Sequence, residues 1–136
     1  MIEGGESYTV QLTDDRILSA GLVGSDPTSD LAVLHIDADG LTSAEFGDSD
    51  VLRVGDSVVA IGDPLGIELR GTMTDGIISA INRDVALEGR TLTVLQTTAA
   101  LNNGNSGGPL INRYGQVIAG CDRFYGEPRW ILEPGH

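Results

Sequence analysis

Gly104-Asn105-Ser106-Gly107-Gly108-Pro109-Leu110 sets one serine among three glycines and closes on a proline and an apolar residue. Glycines around Ser106 permit a sharp backbone and leave room for a ligand to approach. A nucleophilic serine needs that setting: its hydroxyl exposed on a tight turn, beside backbone N–H groups that can face a developing oxyanion. Gly, Asn, Ser and Pro are also ordinary turn residues. The sequel favours chemistry, because the stretch runs into an apolar strand and then a hairpin through Tyr114-Gly115.

Outward from that turn, the pattern is one of strands. Tyr8, Val10 and Leu12 alternate with polar neighbours, Thr13-Asp14-Asp15-Arg16 supplies a turn, and Ile17 to Val23 resumes an extended pattern. After a loop with Asp26-Pro27 as its turn signal, Leu31 to Ile36 is a short apolar run of the length of a buried strand. Ser57 to Ile61, Gly71 to Ala80, Thr91 to Gln96 and Val117 to Cys121 follow. No segment carries a helical stripe, and many short strands at even spacing predict an all-β barrel or sandwich. The polar stretch 41–55 reads as the seam between two strand-rich halves, with residues 1–52 before the boundary and 53–136 after it, the alternative being a long loop inside one barrel.

Composition narrows the function. The 136 residues carry 8 Lys+Arg against 20 Asp+Glu, a net charge of −12 with a pI near 4.2. That balance argues against a nucleic-acid partner, which needs clustered cations. No apolar run approaches the ~18–20 residues of a membrane-spanning helix. Met1-Ile2-Glu3-Gly4-Gly5 has neither the basic nor the apolar region of a secretory leader. Cys121 is the only cysteine and reads as a small buried apolar residue, so no internal disulfide is expected. With two distant histidines and no cysteine pair, no metal site is expected, and no cofactor. Gly62-Asp63-Pro64-Leu65-Gly66 is too short for a phosphate loop and lacks its lysine. Asp14 and Asp15 read as solvated turn acids.

Four stretches in order resemble the HtrA (Deg) family of trypsin-like serine endopeptidases: 29–34, 52–66, 74–80 and 96–110. The resemblance implies two perpendicular six-stranded β-barrels with a Ser-His-Asp triad in the cleft between them. It implies degradation of unfolded or misfolded polypeptides through an acyl-enzyme, and an extracytoplasmic or periplasmic location. Ser106 matches the nucleophile, and Asp30 matches the acid that orients the histidine and stabilises its imidazolium. The oxyanion-hole segment falls on Gly104, Asn105 and Ser106, with the N–H groups of Gly104 and Ser106 as donors. Asn105 stands where digestive relatives carry an Asp that pairs with a newly cut N-terminus, so activation by such a cut is not expected.

The sequence departs from the family pattern in three places. No histidine precedes Asp30; the chain reads as starting just after the family's Asn-His. His35 reads as a strand residue and His136 as tail, and neither replaces the base. The first barrel is therefore expected to lack its opening strands, and edges near Tyr8–Leu12 or Leu31–Ile36 are expected to promote self-association. The residues after Gly120 do not match the family's S1-lining and closing strands, so the second barrel is expected to lack its closing strand, and no PDZ domain is expected. Asp63 replaces a frequent Asn, read as a turn substitution. The reading is thus a partial trypsin-like double barrel, inactive alone. Its alternatives are a non-catalytic peptide-binding relative and a truncated fragment without independent function.

Overall fold

A computed structural model describes residues 7–63, 71–87, 89–101, 104–121 and 130–132. The expected loop at 64–66, the tail at 122–129 and His136 lie outside them. The described residues form strands and turns, with one short 3-10 turn at Ser49–Val51 and no α-helix. The all-β class is as the sequence predicts. The chain divides into two compact units, residues 1–43 and 44–136. The two-residue strand at Glu45–Phe46 belongs with the second unit.

The first unit is an antiparallel sheet of β1 (Tyr8–Gln11), β2 (Ile17–Asp26) and β3 (Leu31–His35), in that order. The β1–β2 turn closes where the sequence places it. The Leu12 N–H donates to the Arg16 carbonyl at 2.9 Å, and Asp15 takes a left-handed φ of 69°. The Asp14 carboxylate accepts from the Arg16 N–H and Nε at 3.2 and 2.8 Å, a turn acid satisfied by its own turn. None of the described residues of this unit is buried. Ile17, Val23 and Val33 are 65%, 67% and 59% exposed, so alternating patterning has made strands here without making a core. Three strands with no packed face are marginal in water, and no described strand pairs with the outer edge of β3. Such an edge is a template for another chain. The 136-residue chain is therefore expected to sediment as dimers or larger assemblies. A single monomeric boundary with one cooperative melt contradicts this.

The second unit holds the core. β4 is Glu45–Phe46, β5 Ser57–Gly62, β6 Thr72–Leu87, β7 Arg90–Thr97, β8 Pro109–Asn112, β9 Gln116–Cys121 and β10 Trp130–Leu132. Their order is β10-β7-β6-β5-β8-β9-β4, and β10 pairs with β9 as well as β7. Strands β5 to β10 thus form a closed ring of six. This corrects one expectation: the second barrel does not lack a closing strand, since β10 bridges β7 and β9. Val58, Ile78, Val94, Leu95, Leu110 and Ile118 are at most 1% exposed. Burial of each such side chain favours folding by about 1.5–3 kcal/mol. Cys121, 3% exposed, joins this core as a small apolar residue.

Candidate active site

The turn 104–107 connects into β8, and three contacts lock it onto the end of β5. The Asp63 N–H donates to the Gly104 carbonyl at 3.0 Å. The Asn105 side chain, 1% exposed, lies against Gly62 so closely that a Cβ there would stand 2.6 Å from its Cα and Oδ1. A Cβ on Gly108 would overlap the Ile61 carbonyl oxygen. Two positions that read in sequence only as turn glycines are therefore close-approach positions. Asn105 Nδ2 donates to the Ala100 carbonyl at 3.1 Å, tying the turn to the chain that leads into it. Its Oδ1 is buried with no partner among the described residues. This interior amide helps fix the turn.

The lock also aims the backbone. The Gly108 N–H donates to the Asn105 carbonyl at 2.9 Å. In a trans peptide the C=O and the next N–H point in opposite directions, so this bond turns the Ser106 N–H away from Gly108. No described residue accepts from the N–H of Ser106 or of Gly104. The Gly107 N–H donates to the Cys121 carbonyl and the Cys121 N–H to the Gly108 carbonyl, both at 2.8 Å, so β9 holds the far side. Gly107 has φ of 86°, which an L side chain resists. Ser106 is exposed at the crest. A hydroxyl offered to solvent, flanked by two amides without acceptors, can attack a carbonyl and hold the resulting oxyanion if a base takes its proton.

Asp30 lies in the first unit, at the end of the four-residue turn from β2 to β3. It is exposed and has φ of 55°, a left-handed conformation that Asp tolerates better than most residues. The Asp26 carboxylate builds that turn. It accepts from the Ser29 hydroxyl at 2.7 Å and the Thr28 N–H at 3.0 Å, and these bonds, the Ser29 hydroxyl foremost, hold its pKa below the ordinary value. A depressed carboxyl pKa stabilises the fold above the unfolded value and stops doing so as pH falls through the folded one. The turn carrying Asp30 should therefore loosen in acid, and Ser29→Ala should raise the Asp26 pKa toward the ordinary carboxylate range. A carbon-detected NMR titration checks both; an Asp26 titration unmoved by Ser29→Ala contradicts the assignment. His35 is exposed and pairs through Nε2 with the Asp37 carboxylate two residues on, at 3.1 Å, a local surface pair.

Known proteins resemble this chain over most of its length. The sequence profile of the trypsin-like peptidase domain matches residues 2–119. Serine protease Do-like HtrA of Bacillus subtilis (strain 168) is 50% identical over 123 residues, covering 87% of this chain and 27% of that protein. The chain belongs to the HtrA family of trypsin-like peptidases. A probable periplasmic serine endoprotease DegP-like of Halomonas elongata is 48% identical over 118 residues, covering 87% of this chain and 24% of its own length. The solved structure of the HtrA-type protease AlgW with a decapeptide superposes with a TM-score of 0.86 at 39% identity, over 98% of this chain and 42% of that one. The chain thus spans about a quarter of the curated HtrA relatives. What sequence reasoning missed in this HtrA-family chain is the role of Gly62 and Asp63 as the surface against which the serine turn is set. Their residue types read as a turn whether or not another turn packs on them.

Proposed function

We propose that this chain carries the nucleophile and oxyanion-binding portion of a serine endopeptidase that cleaves unfolded polypeptides. The observation that carries the reading is Ser106, exposed on a turn whose flanking Gly104 and Ser106 N–H groups have no described acceptor. Ser106 Oγ attacks the scissile carbonyl, its proton passing to an imidazole. The two N–H groups hold the oxyanion, the amine leaves with that proton, and water releases the acyl group. Asp30 orients the imidazole and stabilises its charged form. A peptide substrate is supported by AlgW, whose structure was solved with a decapeptide. The periplasmic naming of the Halomonas relative supports an extracytoplasmic setting for this chain too.

Neither His35 nor His136 matches the base position, so the 136-residue polypeptide alone is proposed to be catalytically incomplete. A serine hydroxyl at its free pKa is a weak nucleophile, and loss of one triad member leaves only about 10³–10⁴-fold catalysis over water. Purified chain is expected to leave casein uncut over hours of incubation. Casein cleavage that disappears in Ser106→Ala contradicts this.

A further inference from the structure

Charge and core are divided unequally between the two units. Residues 1–43 carry eight acids against one arginine, a net charge of −7, whereas residues 44–136 carry twelve acids and seven arginines, a net charge of −5. Topology gathers the charge of the first unit further. β3 runs antiparallel to β2 with Gly21 opposite His35, so the chain leaving β3 returns to the β1–β2 turn. There the Arg16 guanidinium, already donating to the Asp14 carboxylate at 2.8 Å, also reaches the Asp39 carbonyl at 3.4 Å. Asp14, Asp15, Asp37 and Asp39 thus share one end of the sheet with a single guanidinium. Asp26 and Asp30 bracket the turn at the other end, where no ion pair forms among the described residues.

Repulsion of this kind works against a compact state, and the first unit has little to set against it. None of its described residues is buried, and its apolar side chains Ile17, Val23 and Val33 stay mostly in solvent. The second unit has a buried core that includes Val58, Ile78, Leu95 and Leu110. Salt therefore acts on the two units differently. The screening length falls from about 30 Å at 10 mM to about 10 Å at 0.1 M and about 3 Å at 1 M. Neighbouring strands lie about 4.8 Å apart. At low salt each carboxylate of the first unit feels all the others across the sheet, and at high salt hardly any of them.

We propose that the first unit is an ionic-strength switch: it folds when salt screens its carboxylates and opens at low salt, while the second unit stays folded throughout. Sodium and potassium salts serve equally, because the requirement is screening and not a bound cation. Strengthened apolar burial at high salt would act most on the unit with the core, so the second unit is the internal control. Asp30 rides on the switched unit, so under the peptidase reading the orienting acid is in place only in salt. The switch itself stands without that reading.

Amide hydrogen exchange of the 136-residue chain at pH 7, read by mass spectrometry at two protein concentrations, tests it, since exchange reports local opening. Between 10 mM and 500 mM NaCl, protection of β1–β3 should rise by about tenfold or more, and that of β5, β8 and β9 by less than about twofold. KCl should give the same result. The combined variant Asp15→Asn, Asp37→Asn and Asp39→Asn, which removes three charges from the crowded end, should protect β1–β3 at 10 mM as the parent chain does at 500 mM. Protection of β1–β3 that ignores salt, or that rises equally in both units, overturns the proposal. So does a variant without added protection at 10 mM. A response to only one of the two cations overturns it in favour of a bound ion, and a response that grows with protein concentration overturns it in favour of self-association.

Discussion

Gly108→Ala should damage this chain far more than Gly107→Ala, lowering the stability of the second unit by about 3 kcal/mol or more. Overpacking costs typically 1–3 kcal/mol where side chains can shift. Here the added carbon meets the Ile61 carbonyl, and the Asn105 carbonyl stands 3.0 Å away. Both are backbone, and each is held in place: β5 pairs Ile61 with Met73, and the Asn105 carbonyl accepts the Gly108 N–H. Yielding would break the lock that sets the serine turn. Gly107→Ala provides the contrast. Its Cβ meets nothing within 4 Å, but φ is 86°, so the cost is conformational, about 1–2 kcal/mol. Urea unfolding of the two variants should rank them in that order. Small domains have only about 5–15 kcal/mol in hand, so Gly108→Ala should also lower soluble yield. Equal midpoints would show that the turn is not held by close approach to β5.

The two glycines illustrate which parts of the fold are legible in sequence. Local patterns are: the turn acids at 13–16, the alternation of Tyr8 and Val10, and the hairpin at Tyr114-Gly115 each follow from residues within a few positions. Close approach is not. Gly62 and Gly108 need to be glycine because of Asn105 and Ile61, residues far away along the chain, and a turn glycine with open space around it has the same local sequence. The same holds for the sheet. β4 is two residues long and pairs in parallel with β9, a partnership no periodicity in Glu45-Phe46 announces. β10 is three residues long, and its place in the ring depends on meeting β7 and β9 at once. Burial is also a tertiary property. Leu31 to His35 has the pattern of a buried strand, yet Leu31 and Val33 are 42% and 59% exposed, because nothing in the local pattern specifies the layer that would cover them.

The candidate site divides the same way. Ser106 and its glycines are recognisable because the chemistry demands a sharp turn, and the turn demands those residue types within one short stretch. Asp30 is recognisable only through family resemblance. Its left-handed backbone and the Asp26–Ser29 bond that shapes its turn follow from a hairpin geometry that the flanking residues permit but do not dictate. The lock between Asp63 and Gly104 uses backbone atoms alone, which leave no mark in a sequence.

The central claim is that Gly104, Ser106 and Asp30 supply a working nucleophile, oxyanion hole and orienting acid that lack only a base. Joining the histidine-bearing strands of a close relative directly before Met1, so that Asn-His precedes it, tests this with an active-site fluorophosphonate. Ser106 Oγ attacks phosphorus, fluoride leaves, and the imidazole takes the hydroxyl proton. The readout needs nucleophile, base and oxyanion hole but little of a specificity pocket. Labelling should accelerate by about 10⁵–10⁶-fold over the chain alone, in line with the cost of removing a triad histidine. It should vanish in Ser106→Ala and on loss of the added histidine. It should fall by about 10³–10⁴-fold in Asp30→Asn with folding intact, because the imidazole is then held in the wrong tautomer. A joined chain that is folded by circular dichroism yet stays unlabelled, while an intact relative labels under the same conditions, contradicts the account.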